Sequence, residues 1–189
     1  MDVKFEQFGI YNVDVGYLKY LHDNVDSEVY YSSAKYEKKP FLGLVVGIGS
    51  YTYFIPFTSC KEKHKSWDNV AQDHYVIYEV VEKDRLSENA IYVPMNDNMV
   101  KHILAVLDLK KMIPVPNGLY SMIDFSEMKD DKYKALLIKE YRFCQGIQDG
   151  ILQKVNKIYD YQKSKKNVRR FYCNFEALER GCEEYSKIK

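Results

Sequence analysis

Residues 41–67 read FLGLVVGIGSYTYFIPFTSCKEKHKSW. Two runs rich in β-branched and aromatic residues, 41–48 and 51–57, flank the turn dipeptide Gly49-Ser50, the pattern of an antiparallel hairpin. The second run ends in Pro56-Phe57 and opens at once into Thr58, Ser59, Cys60 and Lys61. Hydroxyls donate hydrogen bonds, turn amides point at anions and a lysine adds a point charge, so this junction suits a phosphate. The rest of the chain has no junction as dense in such groups.

With the turn at Gly49-Ser50, the hairpin places Lys39 roughly opposite Thr58 and Ser59, so two lysines and two hydroxyls converge from neighbouring strands. RNA needs little more to cleave itself. Its 2′-OH attacks the adjacent phosphate once a base takes the proton and cations stabilise the pentavalent state. This scheme requires no metal or other cofactor, and none is expected. Each part also has a structural reading. Thr-Ser at a strand end serves as a turn or cap. Lys61, Lys63 and Lys65 alternate with Glu62, His64 and Ser66, as in a solvated loop. His64 is an acid/base candidate by type, and Trp67 suits packing as well as stacking on a base. The residues alone leave three readings open: a nuclease, a non-catalytic RNA-binding module on the same basic groove, and a DNA-directed nucleic-acid-binding regulator or purely structural domain.

Outward from the hairpin, residues 1–12 alternate as a first strand and 13–21 carry a helical face at Val13, Tyr17, Tyr20 and Leu21. Residues 22–40 read as a long loop, which in a small domain is often functional. Further strands are predicted at 75–81, 91–93, 103–107, 112–115 and 119–125. From about Asp130 to Gln162 apolar residues recur at three- and four-residue steps, predicting one amphipathic helix about 50 Å long, with Gly146 and Gly150 as candidate bends. Asn174 is placed to cap a last helix reaching Ile188. The predicted architecture is α+β: one domain, 1–189, with a strongly curved, barrel-like antiparallel sheet and flanking helices, including a long C-terminal one.

The 189 residues carry 46% apolar and 29% charged side chains, as a globular protein does. No run reaches the roughly 20 apolar residues needed to span a bilayer, and the N-terminus lacks a signal-peptide pattern. A cytoplasmic protein without a membrane partner is expected. The cysteines Cys60, Cys144, Cys173 and Cys182 show neither CxxC nor zinc-ligand spacing, so free thiols are predicted. The net charge is only +1, but it is unevenly spread: residues 1–128 hold 13 Lys/Arg against 18 Asp/Glu, and residues 129–189 hold 15 against 9. That asymmetry points to a polyanionic partner reached through the C-terminal third. The candidate RNA contacts are Lys35, Lys38, Lys63, His64, Lys65 and Trp67 around the hairpin. Towards the C-terminus they are Lys154, Lys163, Lys165, Lys166, Arg169 and Arg170.

The segments Phe41-Leu42-Gly43-Leu44-Val45, Pro56-Phe57-Thr58-Ser59-Cys60-Lys61 and Lys65-Ser66-Trp67 resemble the ToxN/AbiQ family, the toxins of type III toxin–antitoxin systems. The likeness continues through 107–115 and 131–137 to Cys173-Asn174-Phe175, in order along nearly the whole chain. The resemblance implies a metal-independent endoribonuclease on a MazF/Kid-like curved sheet, leaving a 2′,3′-cyclic phosphate and a 5′-OH. It further implies a small repeat antitoxin RNA, folded as a pseudoknot, which the toxin cuts from a precursor and which then inhibits it in a closed heteromeric protein–RNA assembly. Cellular or phage RNA would be the substrate, and growth arrest or abortive infection the outcome. By position, Thr58, Ser59 and Lys61 match the family's T-S-x-K motif, with Cys60 in place of the usual proline, and Lys39 matches its upstream lysine. The family also uses a tyrosine a few residues upstream of that lysine; direct register falls on Lys35, and Tyr36 lies one step away.

Overall fold

The computed structural model describes residues 3–5, 7–31 and 42–188. In chain order the strands are β1 (Val3–Phe5), β2 (Tyr11–Val13), β3 (Leu42–Ile48), β4 (Tyr51–Ser59), β5 (His74–Glu82), β6 (Tyr92–Pro94), β7 (Met99–Asp108), β8 (Ile113–Pro114) and β9 (Tyr120–Met122). The helices are α1 (Val15–Asn24), α2 (Asp131–Gln145), α3 (Gln148–Lys165) and α4 (Phe175–Ile188). The β3–β4 hairpin forms where its sequence predicts, paired from Gly43↔Pro56 to Ile48↔Tyr51, with Gly49 left-handed at φ 61° in the turn.

β4 is the hinge of the architecture. Its first half pairs with β3 on one side and, at Tyr53 and Phe54, with β8 on the other. From Phe57 onward it pairs with β7 instead. Pro56 sits at this change of partner, where its missing N–H costs no ladder bond. Opposite it, a Cβ on Gly43 would lie 2.0 Å from the Ile55 carbonyl oxygen, so only glycine lets the two backbones approach this closely.

The sheet path is β5-β7-β4-β3-β2-β9, with β1 on β3, β6 on β7 and β8 on β4, all antiparallel. The path is open: among the described residues β5 and β9 do not pair. This corrects the barrel-like expectation, because β4 splits its pairing between two partners instead of closing a ring. Two further predictions change. The single first strand is two short ones, β1 and β2. The long C-terminal helix is broken in two at Ile147, whose φ −127° and ψ 20° are not helical. Gly146 itself is helical (φ −72°, ψ −13°), and its N–H is shared between the carbonyls of Arg142 and Phe143, each at 3.2 Å. A tightened last turn, rather than glycine freedom, makes the break.

Asp14, Asp130 and Asn174 cap their helices by accepting from the N–H groups of Tyr17, Tyr133 and Ala177 at 2.8, 3.0 and 3.1 Å. The main core joins Tyr17, Leu18 and Leu21 of α1 to Leu44, Val46 and Ile48 of β3, Tyr53, Phe54 and Ile55 of β4, and Phe175 and Leu178 of α4. Each such side chain contributes roughly 1.5–3 kcal/mol through burial. Tyr53 and Tyr159 both donate to the buried Glu179, at 2.8 and 2.7 Å, and Lys163 pairs with its other oxygen. No helix of the described residues is long and apolar enough to cross a membrane.

Candidate active site

Thr58 and Ser59 are the last two residues of β4, held in register by Val106 and Ala105 of β7. Side chains alternate along a strand. Thr58 therefore lies on the face of Val106 and Val76, and Ser59 on that of Ala105 and Ile77, so the hydroxyls flank the strand terminus from two sides. Ser59 is exposed and Thr58 half-buried. A cap or turn residue would spend its hydroxyl on nearby backbone. Here neither hydroxyl has a hydrogen-bond partner among the described residues, and the exposed Lys61 has no acidic partner among them.

Beyond Cys60 the chain enters a short 3₁₀ turn, Glu62–Ser66. His64 is its buried latch, 2% exposed. Its N–H donates to the Lys61 carbonyl at 2.9 Å, and its Nδ1 accepts from the Lys61 N–H at 3.1 Å. Burial, then the charges of Lys63 and Lys61, push its pKa down, which keeps the imidazole neutral as that acceptor requires. The latch fixes the main chain at Lys61 and leaves its side chain exposed.

Trp67 follows, with the rings of His64 and His74 each 4.5 Å from its own and the ammoniums of Lys63 and Lys110 at 5.3 and 5.6 Å. Lys110 bridges Asp108 at 3.0 Å and Asp73 at 3.2 Å, while Tyr30 donates to Asp108 at 2.7 Å. The hydrogen bond from His74 holds the Asp73 carboxyl well below the usual range, against the effect of burial and with help from Lys110. Burial works against the charge on Lys110, but Asp108 and Asp73 outweigh it and raise its pKa. This ionic frame underpins the loop, and no sequence motif announced it.

The other candidates fall into groups. Lys65 is exposed and pairs with Glu62 at 2.8 Å. Lys163 is committed to Glu179. Lys154 lies 5.6 Å from the Tyr75 ring, Lys165 is exposed at the last residue of α3, and Lys166, Arg169 and Arg170 are exposed on the segment that follows. Lys35, Tyr36, Lys38 and Lys39 lie outside the described residues. Sequence reading also passed over Glu140 on α2. It is 4% exposed, has no hydrogen-bond or ion-pair partner among the described residues, and burial pushes its pKa up to about 7. Its charge acts on Cys60, Tyr133 and Cys144. The signal was available: position 140 falls on the apolar stripe between Leu137 and Cys144. Among the described residues no group of three or more His, Cys, Asp or Glu is placed to hold a metal.

The family model described as Toxin ToxN, type III toxin-antitoxin system, matches residues 9–183. This chain belongs to the ToxN toxin family. The relative named Endoribonuclease ToxN from Bacillus thuringiensis subsp. kurstaki is 27% identical over 186 residues, covering 94% of this chain and 84% of its own. The ToxN of Pectobacterium atrosepticum is 28% identical over 178 residues, covering 94% and 93%. The fold recurs in a solved type III toxin–antitoxin structure, described as selective toxin inhibition by a non-coding RNA pseudoknot. That structure has a TM-score of 0.70 at 24% identity over 95% of this chain and 98% of that one. It recurs also in AbiQ, a lactococcal anti-phage endoribonuclease, with a TM-score of 0.64 at 21% identity over 99% of each chain.

Proposed function

We propose that this chain is an RNA-cleaving ToxN toxin whose chemistry is centred on the end of β4. Membership in the family, with two relatives named endoribonucleases, makes it an RNA-cleaving enzyme. The observation that carries the assignment of the site is the set of groups at one strand terminus with no partner among the described residues: Thr58, Ser59 and Lys61, held in place by β7 and by the His64 latch. MazF/Kid-like describes the frame we assign to the curved sheet behind them.

In this reading the 2′-OH attacks the adjacent phosphorus in line with the departing 5′-oxygen, forming the 2′,3′-cyclic phosphate and a 5′-OH. Ser59 and Thr58 donate to non-bridging oxygens from the two sides of the strand end. Lys61, with Lys39 and Tyr36 from the preceding segment, stabilises the charge that builds on the phosphorane, where such donors act most strongly. No step calls for a metal. The inhibitor is a processed repeat RNA pseudoknot, cut from its precursor by the same site and retained in a closed protein–RNA assembly. Cellular or phage RNA is the target, and growth arrest the result.

The test is RNA cleavage by purified protein in EDTA, with end-group analysis. Wild type should leave cyclic-phosphate ends, and Ser59→Ala should cut roughly a hundredfold or more slowly, the size of effect lost with one transition-state donor. Ser59 is exposed, so the variant should fold normally. Equal rates would remove Ser59 from the mechanism, and a requirement for added divalent ions would remove the metal-free scheme.

A further inference from the structure

Between α3 and the segment that follows it lies a cleft of about 260 Å³ lined by Lys157, Ile158, Tyr161, Arg169, Tyr172 and Gln72 beside the buried Gln162. Its volume falls just under the roughly 300–1,000 Å³ usual for pockets that take drug-sized ligands, so it has room for a smaller group. Arg169 stacks its guanidinium carbon 4.4 Å from the centroid of Tyr161. Tyr161 and Tyr172 are half-buried and Gln72 is exposed. Gln162 is already used, donating to the Cys173 carbonyl and accepting from the Phe175 N–H, so it shapes the floor and leaves the polar edge to Gln72. An aromatic face backed by a guanidinium, with an amide at the rim and a lysine at the mouth, is the chemistry that receives a nucleobase and its phosphate.

The cleft is joined to the β4 terminus. The N–H of Cys173 donates to the Lys110 carbonyl at 3.0 Å, which pins the Arg169-bearing segment to the turn after β7. Tyr172 feels the charges of Asp73 and Lys110. Lys110 in turn shares the Trp67 ring with Lys63. A stripe of basic and aromatic side chains, with the charge of Lys110 offset by Asp73 and Asp108, therefore runs from Lys61 and Lys63 past Trp67 to Tyr172 and Arg169. The left-handed φ of 67° at the exposed Phe171, with Arg170 4.5 Å over its ring, shapes the segment that closes the cleft.

From this arrangement we infer that the cleft binds one unstacked nucleobase of a single-stranded RNA lying along the stripe, outside the chemical step. The inference rests on the RNA-directed reading above but concerns binding alone. The test is fluorescence anisotropy with a mixed-sequence 2′-O-methyl oligonucleotide, which cannot be cut, beside an abasic chain of equal length. Tyr161→Ala should weaken the base-bearing oligonucleotide about tenfold, as loss of one stacking platform does, and leave the abasic chain unchanged. Tyr161→Phe should bind like wild type. In wild type, 4-thiouridine in the oligonucleotide should photo-crosslink to Tyr161 or Tyr172, a readout independent of any variant's folding. Equal loss for both chains, which would make the cleft a phosphate site, no loss for either, or crosslinks confined to other segments would overturn the subsite. Tyr161-dependent binding by a protein that cuts no RNA in EDTA would instead spare the subsite and sink the nuclease reading.

Discussion

Glu140 and His64 pull the pH dependence of this protein in opposite directions. Burial raises the folded pKa of Glu140 to about 7 from an ordinary 4.5, so the stability it lends is complete below that lower value and is lost as pH climbs to about 7. Above it, the folded state carries a buried carboxylate at a cost on the order of 3 kcal/mol. Glu140→Gln should therefore raise the urea midpoint clearly at about pH 8 and hardly at all near pH 4.5. A gain that did not change with pH would mean that the carboxyl is solvated or paired. His64 has the opposite sign. Its folded pKa is depressed, so its contribution is present above the unfolded value of 6.5 and declines as acid protonates the ring that accepts from Lys61. The loop carrying Lys61 is thus built for neutral conditions, and the acid behind it for slightly lower ones.

At the scale of the elements, the β3–β4 hairpin positions the proposed chemistry, and its weakest point is Gly43. Gly43→Ala would drive a methyl to 2.0 Å from the Ile55 carbonyl oxygen, and that backbone has no free end to swing away. A loss of about 2–3 kcal/mol or more is expected from such overpacking, with a matching fall in RNA cleavage because Thr58 lies two residues past Pro56. Thermal unfolding and a cleavage assay on the same sample check both, and an unchanged melting temperature would show that the strands can separate freely. This hairpin was legible in the sequence because alternation, turn dipeptide and strand length all agreed. The end of β4 at Thr58-Ser59 was legible for the same reason, since it sits where the apolar run stops, while the role given to Thr58, Ser59 and Lys61 is a proposal. The break between α2 and α3 was legible only in its place, at the candidate bend Gly146, since Gly146 itself keeps helical angles and the non-helical backbone belongs to Ile147, while Gly150 lies inside α3. The Asp73–Lys110–Asp108 frame was not legible, because it joins residues distant in sequence through the β5–β7 register. Lys39 and Tyr36 lie outside the described residues and stay as expectations.

For the whole molecule, the near-neutral net charge hides a division between a more acidic first two-thirds and a basic remainder. The exposed cations on the segment after α3 lie at the far end of the stripe from Ser59, which suits retention of the proposed inhibitory RNA rather than bond breaking. Reversing Arg169 and Arg170 to glutamate should weaken neutralisation by antitoxin RNA tenfold or so and flatten the salt dependence of RNA binding, since each phosphate contact contributes about −0.7 to the logarithmic slope for single strands. Cleavage by the free protein at saturating RNA should stay largely intact, and equal loss of both activities would erase the division. The packing around Trp67 has one more consequence. It is the sole tryptophan in the chain, and it lies against two imidazoles and two ammoniums that link the proposed chemistry to the cleft. Indole emission is quenched by a protonated imidazole and by a stacked base, so fluorescence excited at the red edge, where the tyrosines do not absorb, comes from one known place and reads the state of that junction without any attached dye.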